Sequence, residues 1–306
     1  MYFHCGLHLE PLKKDMRRFV ETLEDFGQAE QLKLYKPTVQ LVAGLMGLED
    51  DGDISSDTSA RLEDQNMGSI MGQSIALPEE RSKMEKQFFY RQQMILAYYL
   101  GDITLASEMS SKLSSPYTEG PVSWLPPRLY FQGLVAFAMF HSTKKRRYYK
   151  QGQFCLRRLR KFTKEGNVNC HHMFLILEAE FLSLRRYKKK KRFETVRKAY
   201  NGAIVAAGRL GFLNDQALAN ELAGSYCLKV VDGAPFVSLY FTRAYDLYRR
   251  WGASAKAKQL KQRYIKYIDG TGSTYESTFG SGLKARTRLD GITSTSELSR
   301  HLSNFE

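Results

Sequence analysis

The sequence predicts an all-α protein built from helical hairpins, and residues 213–268 show this most clearly. Leu218, Leu222 and Tyr226 recur every four residues, which places them on one face of a helix. A second stripe with helical spacing ends at Trp251, and a third follows it. We expect Trp251 to be buried where these last two helices meet, with Tyr226 and Leu260 on faces able to cover it.

Turn-forming residues separate the three stripes. Residues 232–235 read Asp-Gly-Ala-Pro, in which Gly supplies a turn and Pro suits the first turn of a new helix. Gly252 stands where a left-handed C-cap is expected. Asn214 or Asp215 precedes the first stripe and is expected to cap the free N–H groups of that helix. Three helices are therefore predicted with almost no loop between them.

Hairpin spacing indicates the type of array. Small residues allow helices to approach closely, and the first of these helices contains Ala217, Ala219, Ala223 and Gly224. Helical hairpins are predicted to begin near Pro78, Pro126, Asn169 and Asn214. Their intervals of 48, 43 and 45 residues exceed the ~34 of a tetratricopeptide repeat and approach the ~40–47 of HEAT repeats. The predicted fold is a tetratricopeptide-like or HEAT-like helical-hairpin solenoid, in which each pair packs on its neighbours.

Apolar stripes also place the earlier helices. The first helix is predicted from Leu12, Met16, Phe19, Leu23 and Phe26. In the second, Pro37 is expected to kink or interrupt the helix. Residues 78–80, Pro-Glu-Glu, are expected to open a further helix. Its inward-facing residues are predicted to be Met84, Phe88, Ile95 and Tyr99.

The chain divides into four parts by composition. Residues 1–48 are the N-terminal helices of the array, and residues 78–268 are the helical-hairpin repeats. Residues 49–77 are acidic and rich in Gly and Ser, which predicts a flexible loop. Residues 269–306 are rich in Gly, Ser and Thr, which predicts a disordered tail or linker.

Cysteine usage and hydropathy bear on the compartment. The four cysteines are scattered without a CxxC pair, which favours a reducing intracellular environment. No uncharged apolar run approaches the ~20 residues of a membrane span, and charges come too early for a signal peptide. We therefore expect a soluble, cytoplasmic protein.

The formal charge of +14 is concentrated in one segment, residues 144–192. This segment contains 17 Lys and Arg residues against 3 acidic residues, while acidic and basic residues balance in the rest of the chain. The candidate anion-binding or partner-binding residues are Lys144, Lys145, Arg146, Arg147, Arg157, Arg158, Arg160, Arg185, Arg186, Lys188, Lys189, Lys190, Lys191 and Arg192.

Several interpretations of this basic segment stay open. Residues 144–150, KKRRYYK, interleave aromatic and cationic side chains, as nucleic-acid-binding surfaces do. Residues 188–192 resemble a nuclear-import patch, which would allow a nuclear location. An acidic protein or an anionic membrane would also fit the charge. The plain alternative is a set of solvated helix faces with no ligand.

No catalytic or metal-binding constellation stands out. Residues 170–172, Cys-His-His, form the sole cluster of metal-ligand types, but adjacent helical side chains point ~100° apart. Cys155 could approach them from the preceding helix, yet packing is the favoured interpretation, and we expect no metal and no cofactor. Glu178 and Glu180 lie on different helix faces, which disfavours paired-carboxylate catalysis. Glu180 is instead expected to pair with Arg185 or Arg186.

Five stretches carry a resemblance to a known family. The most specific are QALANELAG (216–224) and AYDLYRRWGASAKAKQL (244–260), and residues 3–28, 88–102 and 171–184 add to it. They resemble the helical region of large multi-domain signalling ATPases of bacteria, fungi and some algae. Those proteins join an optional Ser/Thr kinase domain, an AAA-type ATPase, a tetratricopeptide-like array, a GAF domain and a histidine kinase. The resemblance covers roughly residues 3–268 and implies a signalling context.

The departures from that family bear on function. The basic stretch 185–192 replaces a short acidic-polar turn, and the chain contains no GxxxxGK[ST] phosphate loop and no kinase motif. We therefore expect no enzyme activity. The expected function is a non-catalytic scaffold or regulatory module that couples a signalling ATPase or kinase to protein partners. The alternative is binding of nucleic acid or an anionic surface through residues 144–192.

Overall fold

The prediction of an all-α protein is confirmed in a computed structural model, which describes residues 2–48, 82–113, 124–184 and 189–268. These residues form α-helices and short 3-10 helices, and no strand occurs among them. The α-helices are α1 (Leu9–Asp25), α2 (Ala29–Met46), α3 (Lys83–Leu100), α4 (Ile103–Lys112), α5 (Leu125–Thr143), α6 (Arg146–Lys164), α7 (His171–Leu184), α8 (Lys189–Arg209), α9 (Leu213–Cys227), α10 (Val237–Trp251), α11 (Ser254–Arg263) and α12 (Ile265–Ile268). The 3-10 helices are Tyr2–Cys5, Val168–Cys170 and Val231–Phe236.

Three predictions fall outside the described residues: the loop 49–77, the tail 269–306 and the helix start at residues 78–80. After the gap, the chain enters α3 through a complete capping box. The Ser82 hydroxyl accepts a hydrogen bond from the Glu85 N–H, and the Glu85 carboxylate accepts one from the Ser82 N–H. This reciprocal pair satisfies two N–H groups that a helix start leaves without partners.

Helices that follow one another in sequence pack together, in the pairs α3–α4, α5–α6, α7–α8 and α9–α10. The first helices of these pairs begin at Lys83, Leu125, His171 and Leu213, of which the last three lie within two residues of the predicted positions and the first lies five residues after Pro78. Glycine allows the close approach within pairs. A Cβ atom added at Gly152 of α6 would overlap the ring of Phe137 on α5, and one at Gly224 of α9 would lie 2.9 Å from the Phe241 ring of α10.

The first and last parts of the array also touch each other. Trp251 is buried, as predicted, and its ring centroid lies 5.6 Å from Phe3 and 5.7 Å from Tyr99. Its Nε1–H donates a hydrogen bond to the Leu7 carbonyl over 3.1 Å, and α11 packs against α2 and α3. Tyr226, one of the residues expected to cover Trp251, stacks with Phe193. The prediction that each hairpin packs only on its sequence neighbours is therefore wrong where the first and last helices of the array meet.

Two predictions about helix ends and breaks are corrected. Asn214 and Asp215 do not cap α9, because the helix already begins at Leu213 and both side chains are buried within its first turn. The residue before the helix is Phe212, which makes no side-chain cap bond. Of the two outcomes expected at Pro37, a kink or an interruption, the interruption does not occur, because α2 runs through Pro37, which is buried. A single missing N–H is tolerated there because the apolar residues beyond Pro37 remain packed in the core.

Some predicted inward-facing residues lie at the surface. Phe19 is 47% exposed, Phe26 75% and Met84 53%. Phe19 lies in α1 and Phe26 directly follows its last residue; α1 packs mainly on α2, so its neighbours cover little of the helix. The third helix of the 213–268 stretch is also shorter than predicted. It ends at Arg263, and α12 follows after Tyr264, whose ring stacks on Phe241 with centroids 3.8 Å apart.

Candidate functional site

Helix α6 carries the described part of the basic segment on its solvent face. Its buried residues are Gly152, Cys155, Leu156 and Leu159, and they pack between α5 and α7. Four exposed cations lie on the opposite side, Arg146, Lys150, Arg157 and Lys164. We call these four residues the α6 cation row.

The α6 cation row is a straight and uncompensated line of charge. Its members are separated by four, seven and seven residues, so at ~100° per residue they fall within about 40° of one another around the helix axis. At ~1.5 Å per residue the row extends about 27 Å. No acidic residue occurs in α6, and none of the four cations pairs with a carboxylate among the described residues. Within the described ranges, the four side chains of the row are therefore exposed to solvent and no carboxylate pairs with them.

Other basic residues of residues 144–164 are partly engaged with neighbours. Arg147 donates a hydrogen bond to the Tyr148 hydroxyl over 2.7 Å and lies over that ring. Arg158 is partly buried, and Arg160 pairs with Glu178 at 3.0 Å. Two further exposed cations, Lys144 and Lys145, precede the helix. Arg147 and Arg160 are thus exposed but engaged with neighbouring side chains, unlike the four cations of the row.

The second basic cluster is only partly described. Arg185, Arg186 and Lys188 lie outside the described residues. Residues 189–192 begin α8, but the structure describes none of their side chains. Glu180, expected to pair with Arg185 or Arg186, accepts a hydrogen bond from the Tyr200 hydroxyl over 2.5 Å, and burial raises the pKa of its carboxyl.

The candidate metal ligands of residues 170–172 and Cys155 do not form a metal site within the described residues. In the described ranges, no group of three or more His, Cys, Asp and Glu side chains could hold a metal ion. Cys155, Cys170 and His172 are buried. His172 Nε2 lies 2.9 Å from Asp215 Oδ2, and its ring stacks on Phe212 with centroids 4.1 Å apart. The Nε2 atom of His172 is therefore already engaged in a buried polar contact with Asp215.

This contact belongs to a buried polar cluster that joins four helices. Its members are Tyr99 of α3, Tyr130 of α5, His172 of α7, and Asn214 and Asp215 of α9, all at most 2% exposed. Burial raises the pKa of both tyrosine hydroxyls well above the usual value, and the Asp215 charge raises them further. Both hydroxyls therefore stay neutral. Because solvent does not reach these groups, the cluster links helices and offers no open site for a substrate.

A second buried polar group joins α9, α10 and α11. The Lys256 ammonium, 2% exposed, donates hydrogen bonds to Glu221 Oε1 over 2.8 Å and to Gln259 Oε1 over 2.9 Å. The Tyr248 hydroxyl donates to the other Glu221 oxygen over 2.7 Å. Burial lowers the pKa of Lys256, and the Glu221 charge opposes that shift.

Sequence patterns did not reveal either buried group. Asn214 and Asp215 looked like helix caps because they precede an apolar stripe. No sequence pattern predicts the burial of Lys256, because lysine is rarely fully buried without a partner and the sequence does not show which residue is its partner. One feature of the sequence could have indicated burial: each of these polar residues lies within one helical turn of residues on an apolar face.

No helix in the described part of the chain has the length and apolar character to cross a membrane. No protein-family model matches this chain, and neither a curated protein nor a solved structure is similar to it. The likeness to the helical region of signalling ATPases therefore stays a prediction from the stretches quoted above.

Proposed function

We propose that this chain is a tetratricopeptide-like or HEAT-like helical-hairpin array that acts as a non-catalytic scaffold or regulatory module of a signalling ATPase or kinase. The observation that carries this proposal is the succession of paired helices at intervals of 42, 46 and 42 residues, measured between the first residues of α3, α5, α7 and α9. Arrays of this kind use their extended surfaces to bind other proteins.

The buried contacts support a role as a stiff platform. The His172–Asp215 contact joins α7 to α9, and the Lys256–Glu221 pair joins α9 to α11. The Trp251 indole joins the end of α10 to the backbone just before α1. These polar contacts are directional, so they fix how the helices sit against one another. A surface whose helices are held in this way loses little conformational entropy when it binds a partner.

The test uses the full chain with purified AAA-type ATPase and histidine kinase domains of the resembled proteins. We expect saturable binding to one of them, and a change in its ATPase or phosphorylation rate as the chain is added. An unrelated helical-repeat protein of similar size serves as the control. Absence of binding to either domain would contradict the regulatory role, and intrinsic ATPase activity of the purified chain would contradict the non-catalytic one.

A second candidate function is binding of nucleic acid or an anionic surface. The specific observation in its favour is the α6 cation row, which no acidic residue of α6 offsets. Binding that depends on phosphate charge weakens steeply with salt, because each neutralised phosphate releases condensed counterions. Electrophoretic mobility shift at about 0.1 M salt tests it. No shift with DNA or RNA, together with no binding to anionic vesicles, would remove this candidate.

A further inference from the structure

We propose that the α6 cation row binds the phosphate backbone of a double-stranded nucleic acid without reading its sequence. This inference rests on the second proposed function and names its ligand class and its residues. It does not depend on the scaffold role, since the row lies on one face of a single helix and takes no part in the buried contacts between helices.

The shape and charge of the row fit a duplex. The row holds its cations on a rigid helix, at successive intervals of about 6, 10 and 10 Å along the axis. Duplex DNA carries about one negative charge per 1.7 Å of its own axis, so a 27 Å length offers roughly 16 phosphates. A straight line of four cations can therefore meet several phosphates of a stiff backbone at once. Contacts of this kind position a protein on a duplex and carry no sequence information.

A protein partner fits the row less well. The centres of protein interfaces are depleted in lysine and enriched in aromatic and apolar anchors. Among the described residues, the large hydrophobic side chains that are exposed include none from α6. The apolar residues of α6 face α5 and α7 instead. A row of cations without an apolar anchor supplies electrostatic attraction but no desolvated centre. Electrostatic attraction is enough to bind a phosphate backbone. A protein interface also needs the desolvated centre.

A membrane and a single strand fit less well for related reasons. Surface-lying helices bury an apolar face among lipid acyl chains, and the apolar face of α6 is covered by its neighbours. Single-stranded nucleic acids bind through aromatic platforms on which bases stack. Tyr149 is partly buried between Phe140 and Phe181, with centroid distances of 5.1 and 5.8 Å, and the Tyr148 ring lies under the Arg147 guanidinium. Tyr149 is therefore held between two rings, and Arg147 occupies one face of Tyr148, so neither of these tyrosines gives the row an aromatic platform with both faces open.

The experiment compares two full-length variants that lose equal charge. The row variant carries Lys150→Gln, Arg157→Gln and Lys164→Gln. The control variant carries Arg17→Gln, Arg18→Gln and Arg250→Gln, which remove three exposed cations from α1 and α10. Affinity for a labelled duplex of mixed sequence is measured by fluorescence anisotropy across a salt series. Circular dichroism and melting curves confirm that both variants are folded, which is expected because every substituted side chain is exposed.

If three row cations each neutralise one phosphate, their loss should reduce the slope of log K against log salt by about 2.7. Between 50 and 200 mM salt, these three contacts would account for roughly a 40-fold change in affinity. The control variant should keep the parent slope, and a second duplex of unrelated sequence should bind equally well.

Other results overturn the inference in distinguishable ways. Equal slopes for the row and control variants, with duplex binding retained, would place the nucleic-acid site elsewhere and leave the second proposed function standing. Tighter binding to single strands, to anionic vesicles or to polyglutamate than to the duplex would assign the row to that ligand instead. No duplex binding even at 50 mM salt would overturn the inference, and no binding to single strands either would overturn nucleic-acid binding; both results would leave the scaffold function untouched.

Discussion

Replacing Glu221 by Gln should destabilise the protein strongly, because it leaves the Lys256 ammonium buried without a counter-charge. Lys256 is 2% exposed, and its Nζ lies 2.8 Å from Glu221. After the substitution, the ammonium would face only neutral acceptors, the Gln259 Oε1 at 2.9 Å and the amide oxygen introduced at position 221. Removing one partner of a buried ion pair typically costs about 3–5 kcal/mol, a large share of a total stability of ~5–15 kcal/mol.

Replacing Lys256 by Met should cost less. Met keeps an unbranched apolar stem of similar length, and the Glu221 side chain that remains is 13% exposed and still accepts a hydrogen bond from Tyr248. The double variant removes both charges, and such replacements by packed neutral side chains are often close to neutral. We therefore expect the double variant to be more stable than Glu221→Gln alone, with a coupling energy of about 2–3 kcal/mol.

Urea unfolding followed by far-ultraviolet circular dichroism measures all three variants. The control is Lys266→Met, which removes an exposed charge from α12 and should leave the unfolding curve in place. If Glu221→Gln unfolded at the same urea concentration as the parent, or if the two single effects simply added, Lys256 would not depend on Glu221. The placement of α11 against α9 would then be wrong.

Three further substitutions test other parts of the packing. Trp251→Ala should cost about 3–5 kcal/mol through lost burial and a cavity, and Trp251→Phe should cost less because it mainly removes the hydrogen bond to Leu7; equal urea midpoints for both and the parent would place Trp251 at the surface. Gly152→Ala should lower stability by about 1–3 kcal/mol despite the better helix propensity of Ala, because its Cβ would overlap the Phe137 ring; a raised melting temperature would show that α5 and α6 lie farther apart. Burial and the Arg91 charge lower the pKa of His4 from 6.5 to about 3, so below pH 6.5 the unfolded chain takes up this proton before the folded chain does, and stability falls as pH falls. His4→Gln should remove about 2 kcal/mol of that loss between pH 7 and 5, and an unchanged pH dependence of unfolding in the variant would contradict the lowered pKa of His4.

The local rules of helix formation were enough to predict the helices. Gly252 was predicted as a left-handed cap, and its φ is 89°. The hairpin starts at Pro126, Asn169 and Asn214 lie within two residues of the observed starts of α5, α7 and α9. These features depend on residues close in sequence, whose spacing and turn chemistry are visible directly.

Contacts between distant residues could not be predicted in the same way. His172 and Asp215 are 43 positions apart, and Glu221 and Lys256 are 35 apart. Helical periodicity shows which residues share a face but not which other helix covers that face. The same limit explains Phe26, which belongs to an apolar stripe and yet is 75% exposed because little packs against that part of α1.

The position of α6 allows binding and folding to be tested separately. Its inner face is held by apolar packing and by the close contact of Gly152 with Phe137, whereas the buried ion pair and the His172 contact lie on other helices. Sites that share no partners usually have additive effects on stability. Charge substitutions in the α6 cation row should therefore change the salt dependence of ligand binding while leaving the urea midpoint unchanged. Substitutions at Glu221 or Trp251 should lower the midpoint, and under conditions in which the variants remain folded they should leave the salt slope at its parent value.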